Sequence, residues 1–374
     1  MVLAATTQVN PMPADPTAVA PAEPLPAAIQ PQPAAKAERV RLCCPYCKAA
    51  LDEGDPENWR CLGCQRSFPV DGGIPDLRTF ETYYGSRERE RPAVRALLAA
   101  YPTATFADLI RVRFGPDYPM PEDLREHYAN YRLENVKRGA TRIVQAAQYL
   151  AQAGRTLPED GTALEIGCGS GGMVTALARH FTAVAGIDIN MVDLLLAKKL
   201  VEEQGLTNVT LACACAEALP FQAVTFGYIE ALDVIEHVAL QATVVAEAHR
   251  VLGSGGVFWF TSPNRFYLFG PEQHVLVWGV GFVPRRWQNA YVRMRKGVEY
   301  RGKRLLSRSE LVELLQEAGV RAYTLIAPDP IVNVARAPRS RWGKVAREYT
   351  PWLVPLVNRS AAQFGSEFRV VVTK

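Results

Sequence analysis

The chain is poor in the features that would place it in a membrane or on nucleic acid. Nowhere among its 374 residues is there an uninterrupted apolar run of the ~20 residues that a bilayer crossing needs. Its first residues hold no basic stretch followed by an apolar core, so a secretory signal is not expected and a cytoplasmic location is. Net charge is scarce. Forty-two Lys and Arg against 38 Asp and Glu leave +4, so any recognition of an anionic partner must come from local clustering. Histidine is scarce too: His127, His180, His237, His249 and His274 are the whole set. No internal repeat is found.

What is present describes a packed protein with punctuation. Hydrophobic residues make up 48% and charged residues 21%, as expected of a chain with a buried core, and the length suits two domains. Residues 1–38 are rich in alanine and proline with few charges, which predicts a disordered, partly extended tail. A small cysteine module follows at 39–80 and a helical linker and cap at 81–160, including a long helical pattern over 123–154 ended by Gly154. From 161 to 374, apolar segments ("TALEIG", "AVAGIDI", "VTLACA", "FGYIEAL", "GGVFWFTS", "YTLIAP", "FRVVVTK") alternate with helical patterns. Such alternation predicts an α/β fold with a mostly parallel sheet and helices on both faces.

Eight cysteines are present, and four have metal-ligand spacing. Cys44-x2-Cys47 and Cys61-x2-Cys64 are separated by thirteen residues. Two such turns aim four thiolates at one point, which suits tetrahedral zinc and leaves no open position for water or substrate. The reading is therefore a structural zinc, supplying folding free energy to a module too small for a sizeable core. Cys43 is an alternative to Cys44, at a less usual spacing. The following "RSFPVDGGIPDL" resembles the small zinc-ribbon proteins that activate tRNA and protein methyltransferases, and similar ribbons fused to bacterial methyltransferases.

"ALEIGCGSGG" (163–172) admits two readings. Gly167, Gly169 and Gly172 fit a dinucleotide fingerprint; Glu165 with Gly167, Gly169 and Gly171 fits an acidic residue followed by G-x-G-x-G. Asp188, about twenty residues on, suits either, because a carboxylate at that strand tip accepts bonds from both ribose hydroxyls of an adenosine. "AEALPF" (216–221), "DVIEHV" (233–238) and "EAHRVLGSGGVFWFTSPN" (247–264) complete a series. In this order and spacing it resembles the class I S-adenosylmethionine-dependent methyltransferases over about residues 125–265. The resemblance implies a Rossmann-like seven-stranded sheet. It also implies S-adenosylmethionine as cofactor, with Glu165 near its methionine part, a turn formed by Gly167, Gly169 and Gly171, and Asp188 on the ribose. Ala216 and Glu217 fall where the family cups the adenine. Two positions depart from the family: Cys215 and Gly227 stand where Asp is usual. The adenine bond lost at Cys215 then comes from backbone or Glu217, or is absent.

Little covalent machinery is needed, since the cofactor carries the activated methyl. The protein must hold the acceptor in line and, for a hydroxyl or amine, supply a base. Asp233 is placed to contact the cofactor's amino group. His237, beside Glu236, and His274 are the candidate catalytic bases; for Glu236 and His237 the alternative is loop positioning. After the fifth strand, "FYLFGPEQHVLVWGVGFVP" is apolar and "RRWQNAYVRMRKGVEYRGKR" is basic, with one acidic residue, Glu299. Apolar then basic is the order of a surface that meets a lipid and its headgroup, against the plainer reading of a solvated helix face. "YTPWLVPLV" (349–357) extends the apolar part. The leading expectation is methyl transfer to a small-molecule, sugar or lipid-linked acceptor, with 265–304 selecting the acceptor and touching membranes peripherally. An RNA methyltransferase and a non-catalytic cofactor-binding scaffold are the alternatives.

Overall fold

The computed structural model describes residues 39–116, 118, 122–158, 161–326, 360 and 363–374. The alanine- and proline-rich tail and the 349–357 stretch lie outside the described residues.

The cysteine module forms a four-stranded antiparallel sheet in sequential order: β1 (Leu51–Asp52), β2 (Asn58–Cys61), β3 (Ser67–Asp71) and β4 (Ile74–Pro75). Its buried side chains, including Cys44, Cys61 and Phe68, join Leu219 and Phe221 in one continuous core with the main sheet. Helices α1 (Arg87–Ala100), α2 (Phe106–Arg113) and α3 (Glu122–Gln152) follow. Thr105 caps α2 reciprocally with Asp108, satisfying donors that the first turn leaves free. Beyond α3 the chain turns at Gly154, in the left-handed region at φ 70°.

All seven apolar segments named from the sequence form strands of one sheet. They are β5 (Thr162–Ile166), β6 (Ala183–Asp188), β7 (Val209–Cys213), β8 (Phe226–Ala231), β9 (Leu252–Pro263), β10 (Tyr323–Ile326) and β11 (Glu367–Thr373). The order is β10-β11-β9-β8-β5-β6-β7, and only the pairs made by β11 are antiparallel. The mostly parallel, Rossmann-like expectation is met. Among the described residues, α-helices α4 (Gly172–Leu177), α5 (Met191–Glu203), α6 (Gln241–Val251), α7 (Arg285–Lys296) and α8 (Arg308–Glu317) lie among these strands. From β5 the chain winds one way through β6 and β7, then returns to β8 on the other side. The crevice where ligands gather in such sheets therefore opens between the carboxyl ends of β5 and β8.

Two features position that crevice. Helix α3 crosses the glycine turn at van der Waals distance, and a Cβ at Gly139 would stand 2.4 Å from the Gly172 carbonyl oxygen. The chain leaving the cysteine module runs along β7, the free edge of the sheet. Leu77 N–H donates to the Cys213 carbonyl at 2.7 Å, and Asp76 pairs with Cys213 in parallel sense. No helix among the described residues is long and apolar enough to cross a membrane.

Candidate functional site

The turn after β5 depends on its glycines. Gly167, Gly169 and Gly171 have φ of 77°, 49° and 85°, a region that disfavours any Cβ. A side chain at Gly167 would also meet Val234 Cγ2 at 2.4 Å. Across the turn, Asp188 at the tip of β6 accepts the Gly169 N–H at 2.9 Å and the Asn190 N–H at 2.8 Å. Burial pushes its carboxyl up to about 6, with Asp193 adding to the rise and those two N–H groups and Arg132 opposing it. Cys168 is a small buried filler inside the turn.

A cavity of about 350 Å³ opens above these residues, within the range of small-molecule sites, roughly 300–1,000 Å³. Of the residues named from the sequence, Gly167, Asp188, Ala216, Glu217, Asp233 and His237 border it. Glu165 lies behind the turn, buried, with one carboxylate oxygen unpartnered and Glu230 opposite it across β5 and β8. Burial drives the Glu165 carboxyl well above its ordinary range, and the Glu230 charge adds to that. Glu217 accepts the Ala239 and Leu240 N–H groups at 3.0 and 3.4 Å, so it also holds the loop after β8. Asp233 adopts φ 56°, unusual for a residue with a side chain, and its N–H donates to Thr261 Oγ1 at 3.0 Å.

Other walls come from residues that sequence reasoning did not single out. Thr82, Tyr84, Arg113 and Arg132 all border the cavity. Arg132 reaches over the glycine turn from α3 and pairs with Asp193 at 3.0 Å. Tyr84 arrives on the segment that leaves the cysteine module, which is pinned by a buried network. Arg78 holds Asp76 with two bonds, donates to Glu90 at 3.0 Å and reaches the Ile189 carbonyl at 3.0 Å, next to Asp188. The Cys215 departure has its counterpart here: that fully buried thiol lies 3.4 Å from the Phe80 carbonyl on the same segment. Gly227 is at the other end of β8, beside a register shift, away from the cavity. A charged, apolar-poor segment such as 76–90 carries no periodicity that announces a wall, and only the family-unusual Cys215 marked the place.

The two histidines named as candidate bases come together although 37 positions separate them. His237 and His274 have ring centroids 5.0 Å apart at 90°. His274 Nδ1 lies 2.5 Å from Glu272 Oε1. Burial works to lower the His274 pKa, but Glu236 and Glu272 outweigh it and raise it to about 9; burial lowers that of His237.

Residues 164–260 match the family model of a methyltransferase domain. The matched stretch begins within β5, ends within β9 and contains the glycine turn and Asp188. Over 102 residues the chain is 31% identical to a ubiquinone biosynthesis O-methyltransferase of Coxiella burnetii, covering 27% of this chain and 43% of that protein. It is 33% identical over 126 residues to the enzyme of the same name from Parvibaculum lavamentivorans, covering 32% and 49%. The chain thus spans about half the length of the curated relatives it matches. Among solved structures it is similar to phosphoethanolamine N-methyltransferase 2 of Haemonchus contortus, with 16% identity and a TM-score of 0.41, covering 80% of this chain and 61% of that one.

Outside the matched stretch, the four cysteines converge. Cys44 and Cys64 have sulfurs 3.6 Å apart, Cys47 and Cys61 3.4 Å, and all four fall within 4.8 Å of one another. Sulfurs bound to one zinc at about 2.3 Å stand about 3.8 Å apart at the tetrahedral angle. The two turns repeat one geometry: Lys48 N–H bonds the Cys44 carbonyl, Gln65 N–H bonds that of Cys61, and both residues are left-handed. Cys44 takes part in the cluster, and Cys43 does not.

The segment from 265 to 304 folds on a small core of its own, Val275, Val277, Val280, Val292, Tyr300 and Leu305. Arg285 pairs with Glu310, and Lys296 donates to the Val275 carbonyl at 2.7 Å. Leu268, Trp278, Phe282, Trp287 and Met294 stay exposed, from 49% to 75%.

Proposed function

We propose that the chain transfers a methyl group from S-adenosylmethionine to a hydroxyl of a small, lipophilic or lipid-linked acceptor. The observation that carries this reading is the cavity at the carboxyl ends of β5, β6 and β8, bordered at once by Gly167, Asp188 and His237. The residues fit the cofactor: glycines leave room where a Cβ would clash, and Asp188 offers an acceptor for the ribose hydroxyls. When bound, the cofactor supplies an electrophilic methyl. Arg132, beside the turn, offers its guanidinium to a carboxylate. Ala216 and the backbone around Ala214 border the place for a flat base. Gly167, Gly169 and Gly171 keep the turn thin, and Asp233 stands at the tip of β8. The four cysteines hold a structural zinc in this reading.

The names of the curated relatives support an oxygen acceptor of lipophilic character. The exposed aromatics of 265–304 support an acceptor met at a lipid surface. On α7, Trp287, Tyr291 and Met294 are spaced to share a face, with Arg286 and Arg293 beside it. The mild net charge gives no support to an RNA acceptor.

Methyl-labelled cofactor incubated with the full chain and a cell extract, then separated into lipid, small-molecule, RNA and protein fractions, tests the proposal. Label in the lipid fraction, at an alkali-stable ether, is expected. Label in RNA alone, or turnover of no fraction, would reject it.

A further inference from the structure

Glu236 is the least satisfied charged group near the cavity. Its side chain is fully buried, and neither carboxylate oxygen has a hydrogen-bond partner. A buried carboxylate without donors is costly, so the surroundings of Glu236 call for a missing partner. Its Oε1 lies 3.7 Å from His237 Nε2 and 3.6 Å from His274 Nε2. Both separations exceed a hydrogen bond. Two ligands sharing one ion through bonds of 2.0–2.2 Å at the tetrahedral angle stand about 3.4 Å apart. One ligand atom from each of the three residues falls within 4.8 Å of the other two.

We infer that Glu236, His237 and His274 form a divalent transition-metal site at the acceptor end of the cavity, separate from the four cysteines.

The neighbouring bonds suit this role. Glu272 Oε1 faces His274 Nδ1 at 2.5 Å, and Glu272 Oε2 is itself fixed by the Val275 N–H at 3.0 Å. A carboxylate on Nδ1 holds its proton there and aims Nε2 at Glu236, where a bound ion takes the place of the Nε2 proton, the arrangement that orients metal-binding histidines. Tyr84 packs edge-on against the His237 ring at 4.7 Å. The Glu236 carbonyl accepts the Arg304 N–H at 2.8 Å, so its backbone is anchored to the end of the acceptor segment. Two imidazoles and one carboxylate suit zinc, iron, cobalt or manganese better than calcium or magnesium. Three protein ligands leave coordination positions open. His237 borders the cavity, so an ion on its ring would stand at the cavity wall.

The chemistry rests on the methyl-transfer reading above. An acceptor hydroxyl bound to the ion becomes more acidic. Its O–H bond breaks, the proton passing to water at the cavity mouth. The oxygen lone pair forms the new O–CH3 bond, and the C–S electron pair returns to sulfur, converting sulfonium to thioether. No oxidant or reductant is involved.

Manganese(II) is the probe, because it takes nitrogen and oxygen ligands and competes poorly for thiolates. The full chain, stripped by a chelator of weakly held metal, is titrated with Mn2+ and followed by electron paramagnetic resonance. One Mn2+ per chain is expected. His274→Ala and Glu236→Gln should abolish uptake, and Cys64→Ser should keep it. Glu272→Gln touches no ion and should weaken binding 10- to 100-fold, which keeps the test open if a ligand variant does not fold. A parent that takes up neither Mn2+ nor Co2+ beyond the cysteine site, or variants that bind as the parent does, overturns the site. Uptake without any methyl transfer would reject the proposed function and leave the site standing. Chelator-resistant methyl transfer without uptake would do the reverse.

Discussion

The Arg78 guanidinium holds both oxygens of Asp76, at 3.0 and 2.7 Å, with each side chain only 2% exposed. The pair also engages Glu90, Arg87 and the Ile189 carbonyl. It therefore ties the chain leaving the cysteine module to the strand end that carries Asp188.

Arg78→Met removes the buried cation from Glu90 and leaves Asp76 with Arg87 alone. Removing one partner of such a pair costs about 3–5 kcal/mol. Urea unfolding should show that loss, and calorimetry should show weaker S-adenosylmethionine binding although Arg78 does not border the cavity. A variant with parental stability and affinity would show that the network positions nothing.

Gly167→Ala combines a left-handed φ with a clash against Val234. The backbone part alone costs roughly 1–2 kcal/mol. Cofactor affinity should fall at least tenfold, and adding Val234→Ala should recover only the steric part. Full recovery by the double variant would assign the whole effect to packing.

Asp188, raised to about 6, gives opposite signs for folding and for binding. The stability it contributes is fully present below its unfolded value of about 3.9 and is lost as pH rises through the folded value. Cofactor binding needs the carboxylate, so affinity should fall roughly tenfold per pH unit below that value. Calorimetry from pH 5 to pH 8 should give this slope for the parent and a flat profile for Asp188→Asn. A sloping profile for the variant would move the titration elsewhere.

Zinc analysis of the purified chain should give one tightly held equivalent that Cys61→Ser removes. If the proposed zinc supplies folding free energy to the cysteine module, the thermal transition should fall with it. Tightly held zinc that persists in Cys61→Ser would place it elsewhere.

Arg293, Arg295 and Lys296 are exposed on the last turn of α7. Replacing all three by Ala should weaken sedimentation with anionic phosphatidylserine vesicles by about 1 kcal/mol per charge. Cofactor affinity should stay unchanged. Equal sedimentation at low and high salt for parent and variant would leave the helix a solvated face.

Much of this was readable because the chain repeats its own signals. Seven short apolar segments became seven strands, the glycine-rich turn holds three left-handed glycines, and the paired C-x-x-C turns brought four sulfurs together. Contacts that join distant segments left no local trace. Tyr84 and Arg132 reach the cavity from helices and turns whose sequence shows only ordinary polar character. Glu236 looks like half of a loop motif until His274 arrives from 38 residues away. Cys215 was visible as an oddity, and its reason, the close backbone of Phe80, was not.

The bond from Leu77 to Cys213 bears on how the stretch that matches the family model can be isolated. A fragment starting near residue 164, where the family match begins, would lose β5's first residues and everything that lies along β7. Its terminal strand would present bare amide and carbonyl groups to other copies, and edge-to-edge association follows from such exposure. It would also lack Thr82, Tyr84, Arg113 and Arg132, leaving a trough open on one side. Anyone expressing this domain alone should expect inclusion bodies, and the soluble remainder should hold its cofactor poorly.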